Sequence, residues 1–277
     1  MNLKQLMDAK IIKVNEPLQA QYGNSTILAS ISDSGKVTIN NQEFDDPNEA
    51  MRAIIGDKPS TSSGLQFWTW WNEDRQAWTP LEHARAELAS RSQNLIIKTS
   101  ESHPLRIDFV TPKGGKGRVG MTICPGKQGS GLYGGQWQRD LKTDLQQIQH
   151  WGSNSLISLV ESHEFELLGI PEFMETLQQS ELNWFHLPIK DMSPPDHSFE
   201  KNWEQVSGPI FNQLKQGKDI VIHCRGGLGR TGLLAARILV EQGETPSEAI
   251  QQVRSARENA IETFAQEEYI LSQAWLP

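Results

Sequence analysis

The ten residues HCRGGLGRTG at positions 223–232 constrain the fold of this chain more than any other segment. The apolar, β-branched residues 219–222 before them predict a buried strand, and the apolar residues 233–240 after them predict a helix. The glycines between these elements tolerate the positive φ angles of a tight turn. The segment therefore predicts an α/β architecture with a strand-to-helix turn, whose backbone N–H groups and helix N-terminus favour anions.

Cys224 and Arg230 stand six positions apart on this predicted turn. A guanidinium binds two phosphate oxygens at once, and the positive potential of the turn favours a thiolate, the nucleophilic form of cysteine. The alternative is that Cys224 is a small buried apolar residue, which is common for a free cysteine. Because His223 and Thr231 accompany the pair in a strand–turn–helix context, we interpret the turn as a phosphate-binding loop that carries its own nucleophile.

Strands and helices are predicted to alternate between residues 105 and 277, which is typical of a central, mostly parallel sheet flanked by helices. In such sheets ligands bind at the carboxyl ends of the strands, where Cys224 is placed. The predicted strands are 105–110, 119–124, 156–160, 184–189 and 219–223, and the predicted helices are 139–151, 170–179, 199–214 and 233–240.

Residues 1–92 predict a small α+β domain, and residues 93–104 predict a linker to the second domain, 105–277. Asp33-Ser34-Gly35 between two β-branched runs indicates a hairpin. Asp46 followed by Pro47 indicates a helix start. Residues 65–71 predict an aromatic strand, and a polar helix is expected through about residue 88.

Composition narrows the classes of function. The 277 residues include only two cysteines, Cys124 and Cys224, which argues against a disulfide scaffold and favours a reducing compartment. No apolar run reaches the length of a signal peptide or a membrane span, so we expect a cytoplasmic protein without membrane contact. The net charge of −8 gives no general attraction for nucleic acid. The seven histidines lack metal-ligand spacing, so we expect no metal and no cofactor.

Residues 105–277 resemble the cysteine-dependent, dual-specificity-type phosphatases, in particular the cyclin-dependent-kinase-associated type and its bacterial relatives. The residues that carry the resemblance are HC(X)5RT at 223–231, LPIKDMSPPD at 187–196, RDL at 139–141 with DL at 144–145, and AIET at 260–263 with Gln266. One departure is Arg257-Glu258-Asn259, where relatives often have Arg-Pro-Gly. The resemblance implies the phosphatase fold and a cysteinyl-phosphate intermediate.

The resemblance also implies roles for individual residues. Cys224 is the nucleophile, and Asp191 is the general acid, with Asp196 as the alternative unless it only begins a helix. Thr231 hydrogen-bonds the sulfur, and His223 orients the loop. The phosphate is bound by Arg230 and by the loop residues Arg225, Gly226, Gly227, Leu228 and Gly229, while Gln266 either positions the hydrolytic water or has no role.

Residues 24–85 resemble the RAMA module, a small domain appended to restriction and adenine-methylase systems. The resemblance rests on DSGKVTIN at 33–40, FDDPNEA at 44–50, Phe67-Trp68 and the run from Leu81 to Arg85. It implies that the domain reads a modified nucleic acid or a protein partner. Trp68, Trp70, Trp71 and Trp78 form either an aromatic recognition surface or the core of a small sheet.

The leading hypothesis is a metal-independent phosphomonoesterase that acts on phosphorylated protein or another phosphate ester. Two alternatives stay open at this stage: a phosphate-binding module without turnover, and a nucleic-acid-associated effector led by the N-terminal domain. Phosphotyrosine, phosphoserine or phosphothreonine, a phosphoinositide and an RNA end are equally compatible with the sequence, because pocket depth decides among them.

Overall fold

The computed structural model describes residues 3–23, 25–56, 62–73, 76–91, 97–130 and 136–272. The chain forms two compact units. The first comprises Met1–Leu95 together with Thr263–Glu268, and the second comprises the remaining described residues. The mixed α/β class predicted from the sequence is confirmed.

The first unit is built on a six-stranded antiparallel sheet with the strand order β4-β3-β2-β1-β5-β6. Its elements are α1 (Leu3–Asp8), β1 (Pro17–Tyr22), β2 (Ser25–Ile31), β3 (Val37–Ile39), β4 (Gln42–Phe44), α2 (Pro47–Ile55), α3 (Gly64–Phe67), β5 (Thr69–Asn72), β6 (Ala77–Pro80) and α4 (Leu81–Arg91). The predicted hairpin is present as β2 and β3, which pair antiparallel. Asp46 caps α2 by accepting the N–H groups of Asn48 and Glu49, as its position before Pro47 predicts.

The prediction of a continuous aromatic strand over residues 65–71 was wrong. Its first part is the helical turn α3, because Ser63 and Gln66 form a reciprocal capping box there, and only Thr69 begins strand β5. Trp68 and Trp70 are buried in the core of the unit. Trp71 and Trp78 lie directly opposite each other on β5 and β6 with ring centroids 6.0 Å apart, and Trp71 is exposed.

The second unit contains a five-stranded sheet with the order β13-β12-β14-β9-β8, in which only β8 runs antiparallel to its neighbour. The strands of the unit are β7 (Ile97–Thr99), β8 (Asp108–Val110), β9 (Val119–Thr122), β10 (Gln128–Ser130), β11 (Gln136–Gln138), β12 (Ser153–Ser158), β13 (Asn183–His186) and β14 (Asp219–His223). The helices that follow the first unit along the chain are α5 (Leu141–His150), α6 (Ser162–Leu167), α7 (Phe173–Gln178), α8 (His197–Lys215), α9 (Gly229–Glu241), α10 (Pro246–Ala256) and α11 (Phe264–Ser272).

Alternate residues of the central strands enter two apolar clusters. Ile220 and Ile222 of β14 pack with residues of α8, α9 and α10, whereas Val221 packs with residues of α5, α6 and α7. Every residue of α9 except the last, Glu241, is buried, which explains why most of its sequence is apolar. The sheet is thus covered on both faces, as a parallel sheet requires.

The strand β7 lies inside the segment predicted to be a linker, 93–104, where it pairs with β11. The first residues of that segment, up to residue 96, fall outside the described part of the chain. None of the helices in the described ranges is both long and apolar enough to cross a membrane.

Candidate active site

The predicted phosphate-binding loop is a turn at the carboxyl edge of the parallel sheet. His223 ends β14 and Gly229 begins α9, so residues 224–228 form the connection. On either side, Thr122 of β9 and Ser158 of β12 stand in register with His223. The turn therefore lies where doubly wound sheets bind their ligands.

Carbonyl groups of the turn are held by donors from outside it. The bonds are Lys127 Nζ to Arg225 O at 3.5 Å, Arg257 Nη2 to Gly226 O at 3.5 Å, Arg257 Nε to Gly227 O at 2.5 Å and Ile261 N to Leu228 O at 3.3 Å. In a planar trans peptide the C=O and the following N–H point in opposite directions. The same contacts therefore turn the N–H groups of the following residues toward the other, concave side of the turn.

Several of these N–H groups are buried donors available to an anion. Gly226, Gly227 and Leu228 are buried, as is Arg230 in the first turn of α9, and none of their amides donates to an acceptor within the described ranges of the chain. Buried backbone donors without acceptors are rare, and a row of them forms an anion-binding nest. The amide of Gly229, which the sequence also predicted to bind phosphate, instead donates to Glu262 Oε2 at 2.7 Å.

Gly227 is required at its position by both conformation and space. Its φ angle is +69°, and a Cβ atom there would lie 2.3 Å from the carbonyl oxygen of Thr122. The turn passes so close to the end of β9 that no side chain fits between them. This close approach explains why the loop contains glycine at this point.

The Arg230 guanidinium is almost completely buried and faces two carboxylates. Its Nη1 and Nη2 donate to Glu164 at 2.5 and 2.9 Å, and Nη2 lies 3.0 Å from Asp191 Oδ1. Nη1 also donates to the carbonyl of Ile189 at 3.0 Å, whereas Nε is buried with no acceptor among the described residues. Burial disfavours the charge, but Asp191, Glu164 and Cys224 outweigh it and raise the pKa of Arg230. The Nε–H group of the guanidinium can therefore donate to an oxygen of a bound oxyanion.

The two aspartates considered for the general acid have different environments. Asp191 lies beside Arg230, and Met192, the next residue, has a φ angle of +61°. Asp196 is the N-cap of α8 and accepts the N–H of Phe199 at 2.9 Å. The geometry therefore brings Asp191 to the predicted phosphate site and assigns Asp196 the helix-starting role that the sequence left as its alternative.

Cys224 is 2 % exposed, and the hydroxyl of Thr231 is buried with no partner within the described ranges. His223 Nε2 lies 2.5 Å from Ser158 Oγ, which also accepts from Trp184 Nε1 at 2.8 Å. Burial lowers the pKa of His223 to about 3, with smaller contributions from Arg230 and His186, despite a hydrogen bond with the Cys224 backbone that raises it. A neutral, fixed imidazole fits the predicted orienting role.

The remaining predicted residue, Gln266, is occupied in a helix cap. Its side-chain oxygen accepts the N–H of Thr263 at 3.3 Å, while Thr263 Oγ1 accepts the N–H of Gln266 at 3.1 Å. Both residues belong to the segment Thr263–Glu268, which is grouped with the first unit. Arg225 is half-buried at the first variable position of the turn.

Sequence reasoning gave no site role to Glu164 or Lys127, two of the charged residues that contact the turn or Arg230. Glu164 is the third residue of α6 and also closes a capping box with Glu161, a local signal that indicated a helix start but no partner for Arg230. Lys127 follows β9, and the rule that ligand-binding residues gather at the carboxyl ends of parallel strands pointed to that loop.

Comparisons with known proteins give matches for both parts of the chain. Residues 129–244 match the family model "Polymorphic toxin system, DSP-PTPase phosphatase", and residues 1–94 match "RAMA: Restriction Enzyme Adenine Methylase Associated". The chain is 28% identical over 135 residues to mouse "Cyclin-dependent kinase inhibitor 3", covering 48% of this chain and 63% of that protein. It is 40% identical over 76 residues to "Probable protein tyrosine phosphatase type IVA B" of Dictyostelium discoideum, covering 27% of this chain and 47% of that protein.

A crystal structure of kinase associated phosphatase, with its catalytic-site cysteine replaced by serine, superposes with a TM-score of 0.52 and 23% identity, covering 60% of this chain and 92% of that one. This likeness shows the fold. Residues 129–244 therefore resemble phosphatase domains of the dual-specificity type, and the second unit shares the fold of that structure. Residues 1–94 match the RAMA model, so both predicted resemblances are confirmed. The chain spans less than two thirds of the length of the curated relatives named above.

Proposed function

We propose that the protein is a phosphomonoesterase of the tyrosine or dual-specificity type, which acts without a metal through a phosphorylated cysteine. The observation that carries the proposal is the set of buried, acceptor-free donors around Cys224. The amides of Gly226, Gly227, Leu228 and Arg230 and the Nε of Arg230 have no acceptor within the described ranges. They provide the stabilisation that a phosphoryl group needs as its charge redistributes.

In the first step the Cys224 thiolate attacks phosphorus, the bond from phosphorus to the ester oxygen breaks, and Asp191 gives its proton to the leaving oxygen. Asp191 is adjacent to Arg230, so a phosphoryl group on Arg230 lies within reach of its carboxyl. The entering anion takes Nε and competes with Asp191 for Nη2, which releases Asp191 to act on the leaving group. A positioned acid contributes about 10²–10⁴-fold to such a step.

In the second step water attacks the phosphorus of the cysteinyl phosphate. Asp191 accepts a proton from this water, the sulfur–phosphorus bond breaks, and inorganic phosphate and the Cys224 thiolate are released. The buried Thr231 hydroxyl donates to the departing sulfur, which stabilises the thiolate as it forms. The site residues thus return to their starting protonation states after each turnover.

The substrate we propose is a phosphorylated protein or another phosphate ester, and the cell compartment is the cytoplasm, where Cys224 stays reduced. Both cysteines are free, in agreement with this assignment. For the RAMA domain we propose a modified nucleic acid or a protein as partner. The exposed Trp71 beside Trp78 is the part of its aromatic set that remains available for contact.

Turnover of 4-nitrophenyl phosphate in the presence of a chelator tests the proposed reaction. We expect activity that vanadate inhibits, that Cys224→Ser abolishes, and that Arg230→Lys lowers by at least about a hundredfold, because a lysine cannot form the two-point contact. The matched control is Cys124→Ala, which removes the other thiol and keeps activity. Tight phosphate binding by the wild-type protein without any turnover would identify a binding module instead.

A further inference from the structure

Lys127 stands out among the charged residues near the turn because it is 2 % exposed. Its Nζ lies 3.5 Å from the carbonyl oxygen of Arg225, on the carbonyl side of the turn. A lysine is rarely buried so completely, because desolvation of its charge costs free energy. Its place beside the turn therefore requires an explanation beyond packing.

The loop that carries Lys127 is held rigidly. The Arg139–Asp144 ion pair, buried on both sides, has N···O distances of 2.7 and 2.8 Å, and Asp144 Oδ2 also accepts the N–H of Gly126 at 2.9 Å. The N–H of Lys127 donates to Cys124 O at 3.4 Å, and its carbonyl accepts the N–H of Arg139 at 3.3 Å. The backbone of Lys127 is thus fixed on both sides, and its ammonium group contacts the turn at the carbonyl of Arg225.

The charges at the turn need a second buried cation. Arg230 already faces the carboxyl groups of Glu164 and Asp191, so its positive charge is offset before a ligand binds. A thiolate at Cys224 adds a negative charge, and a bound phosphate adds more. Burial raises the pKa of the neighbouring Cys124 thiol, and nearby charges modify it. Lys127 and Arg230 lower this pKa, whereas Glu164 and Cys224 raise it. All of these groups therefore share one electrostatic environment.

We infer that Lys127 is a positioning residue of the proposed phosphatase, which keeps the Gly226 amide turned toward the phosphate and supplies the positive charge that offsets the Cys224 thiolate. Both effects follow from one contact. By holding the Arg225 carbonyl outward, the ammonium fixes the planar peptide whose N–H points inward. Its charge is felt strongly because the surroundings are buried.

The inference rests on the proposed function, but its test has readouts that do not need turnover. In full-length protein, Lys127→Met removes the charge and the donor, Lys127→Gln keeps a donor only, and Lys127→Arg keeps both. Two quantities are measured: tungstate affinity by calorimetry, and the pH midpoint of Cys224 alkylation by iodoacetamide, followed on its peptide by mass spectrometry. Lys142→Met on the exposed face of α5 is the matched control.

We expect Lys127→Met and Lys127→Gln to weaken tungstate binding by at least about tenfold. Both variants should also move the alkylation midpoint up by about one pH unit, the usual scale of the effect of a nearby charge on a pKa. Lys127→Arg should recover most of both effects, and Lys142→Met should change neither. If the methionine variant does not fold, the glutamine variant carries the test. The inference would be overturned if a folded Lys127→Met or Lys127→Gln variant kept the tungstate affinity and alkylation midpoint of the wild type. It would also be overturned if Lys127→Arg were folded but as impaired as these variants. If the wild type shows no turnover but the Lys127 variants show the expected changes in tungstate affinity and alkylation midpoint, the proposed function is refuted and the inference about Lys127 stands.

Discussion

Replacement of Gly227 by alanine tests the close approach that shapes the turn. The added Cβ would lie 2.3 Å from Thr122 O, 2.4 Å from Thr122 C and 2.7 Å from Ile123 N, all backbone atoms at the end of a central strand. The left-handed conformation costs an alanine about 1–2 kcal/mol, and forced overpacking adds about 1–3 kcal/mol. We therefore expect a loss of about 2–5 kcal/mol, together with displacement of the turn and loss of tungstate binding.

The matched control is Gly243→Ala in the same unit. Gly243 has a φ of +99° and nothing within 4 Å of its hypothetical Cβ, so this variant has the conformational cost without the clash. Calorimetry of the full-length variants should show that Gly227→Ala lowers the unfolding temperature further, at about 2–4 °C per kcal/mol, and that only Gly227→Ala abolishes tungstate binding. Equal destabilisation of the two variants, with tungstate affinity preserved in Gly227→Ala, would refute the steric argument.

Three further predictions concern the charged groups of the site. Asp191→Asn should lower kcat for a phosphate ester with a poor leaving group by about 10²–10⁴-fold. It should also tighten tungstate binding by up to about tenfold in calorimetry, because it removes a carboxylate beside Arg230 that repels the anion; weaker binding would contradict this. Glu164→Gln should reduce stability by about 3 kcal/mol in denaturant titration, because the buried Arg230 loses a charged partner; an unchanged midpoint would count against the pair. The folded-state pKa of His223, about 3, lies below its ordinary value of 6.5, so the unfolded chain takes up the proton first and stability falls as pH drops between these values. In denaturant titrations, the difference in free energy of unfolding between wild type and His223→Asn should therefore be about 3 kcal/mol smaller at pH 4 than at pH 7. A difference that does not change with pH would disprove the burial effect.

The turn could be predicted from the sequence because the residues that define it are neighbours in the chain. Cys224, Arg230 and the glycines occupy one short segment, and the flanking apolar runs determine the strand and the helix. The parallel sheet followed from the alternation of elements. Residues 65–67 were misassigned because aromatic composition favoured a strand, whereas the capping residues Ser63 and Gln66 determined a helical turn.

Contacts distant in sequence could not be predicted in the same way. Glu164 reaches the turn from α6 and Lys127 from the loop after β9, both far from Arg225 and Arg230 in the sequence, and the neighbouring residues do not indicate these partners. The hydrogen bond that the Gly229 amide donates to Glu262 was not predicted, for the same reason. Residue type and spacing indicate which groups can bind phosphate, but tertiary packing decides which of them already have a partner.

The central claim, that Cys224 attacks phosphorus, is tested most directly by capturing the intermediate. In Asp191→Asn, 4-nitrophenyl phosphate should still phosphorylate the enzyme, because its leaving group needs little protonation, while hydrolysis slows for want of a base. Rapid quenching and peptide mass spectrometry should then find one phosphoryl group on Cys224, and none when Cys224→Ser is combined with Asp191→Asn. A phosphoryl group on His223 or Cys124, or release of nitrophenol without any phosphorylated enzyme during the first turnover, would contradict the account.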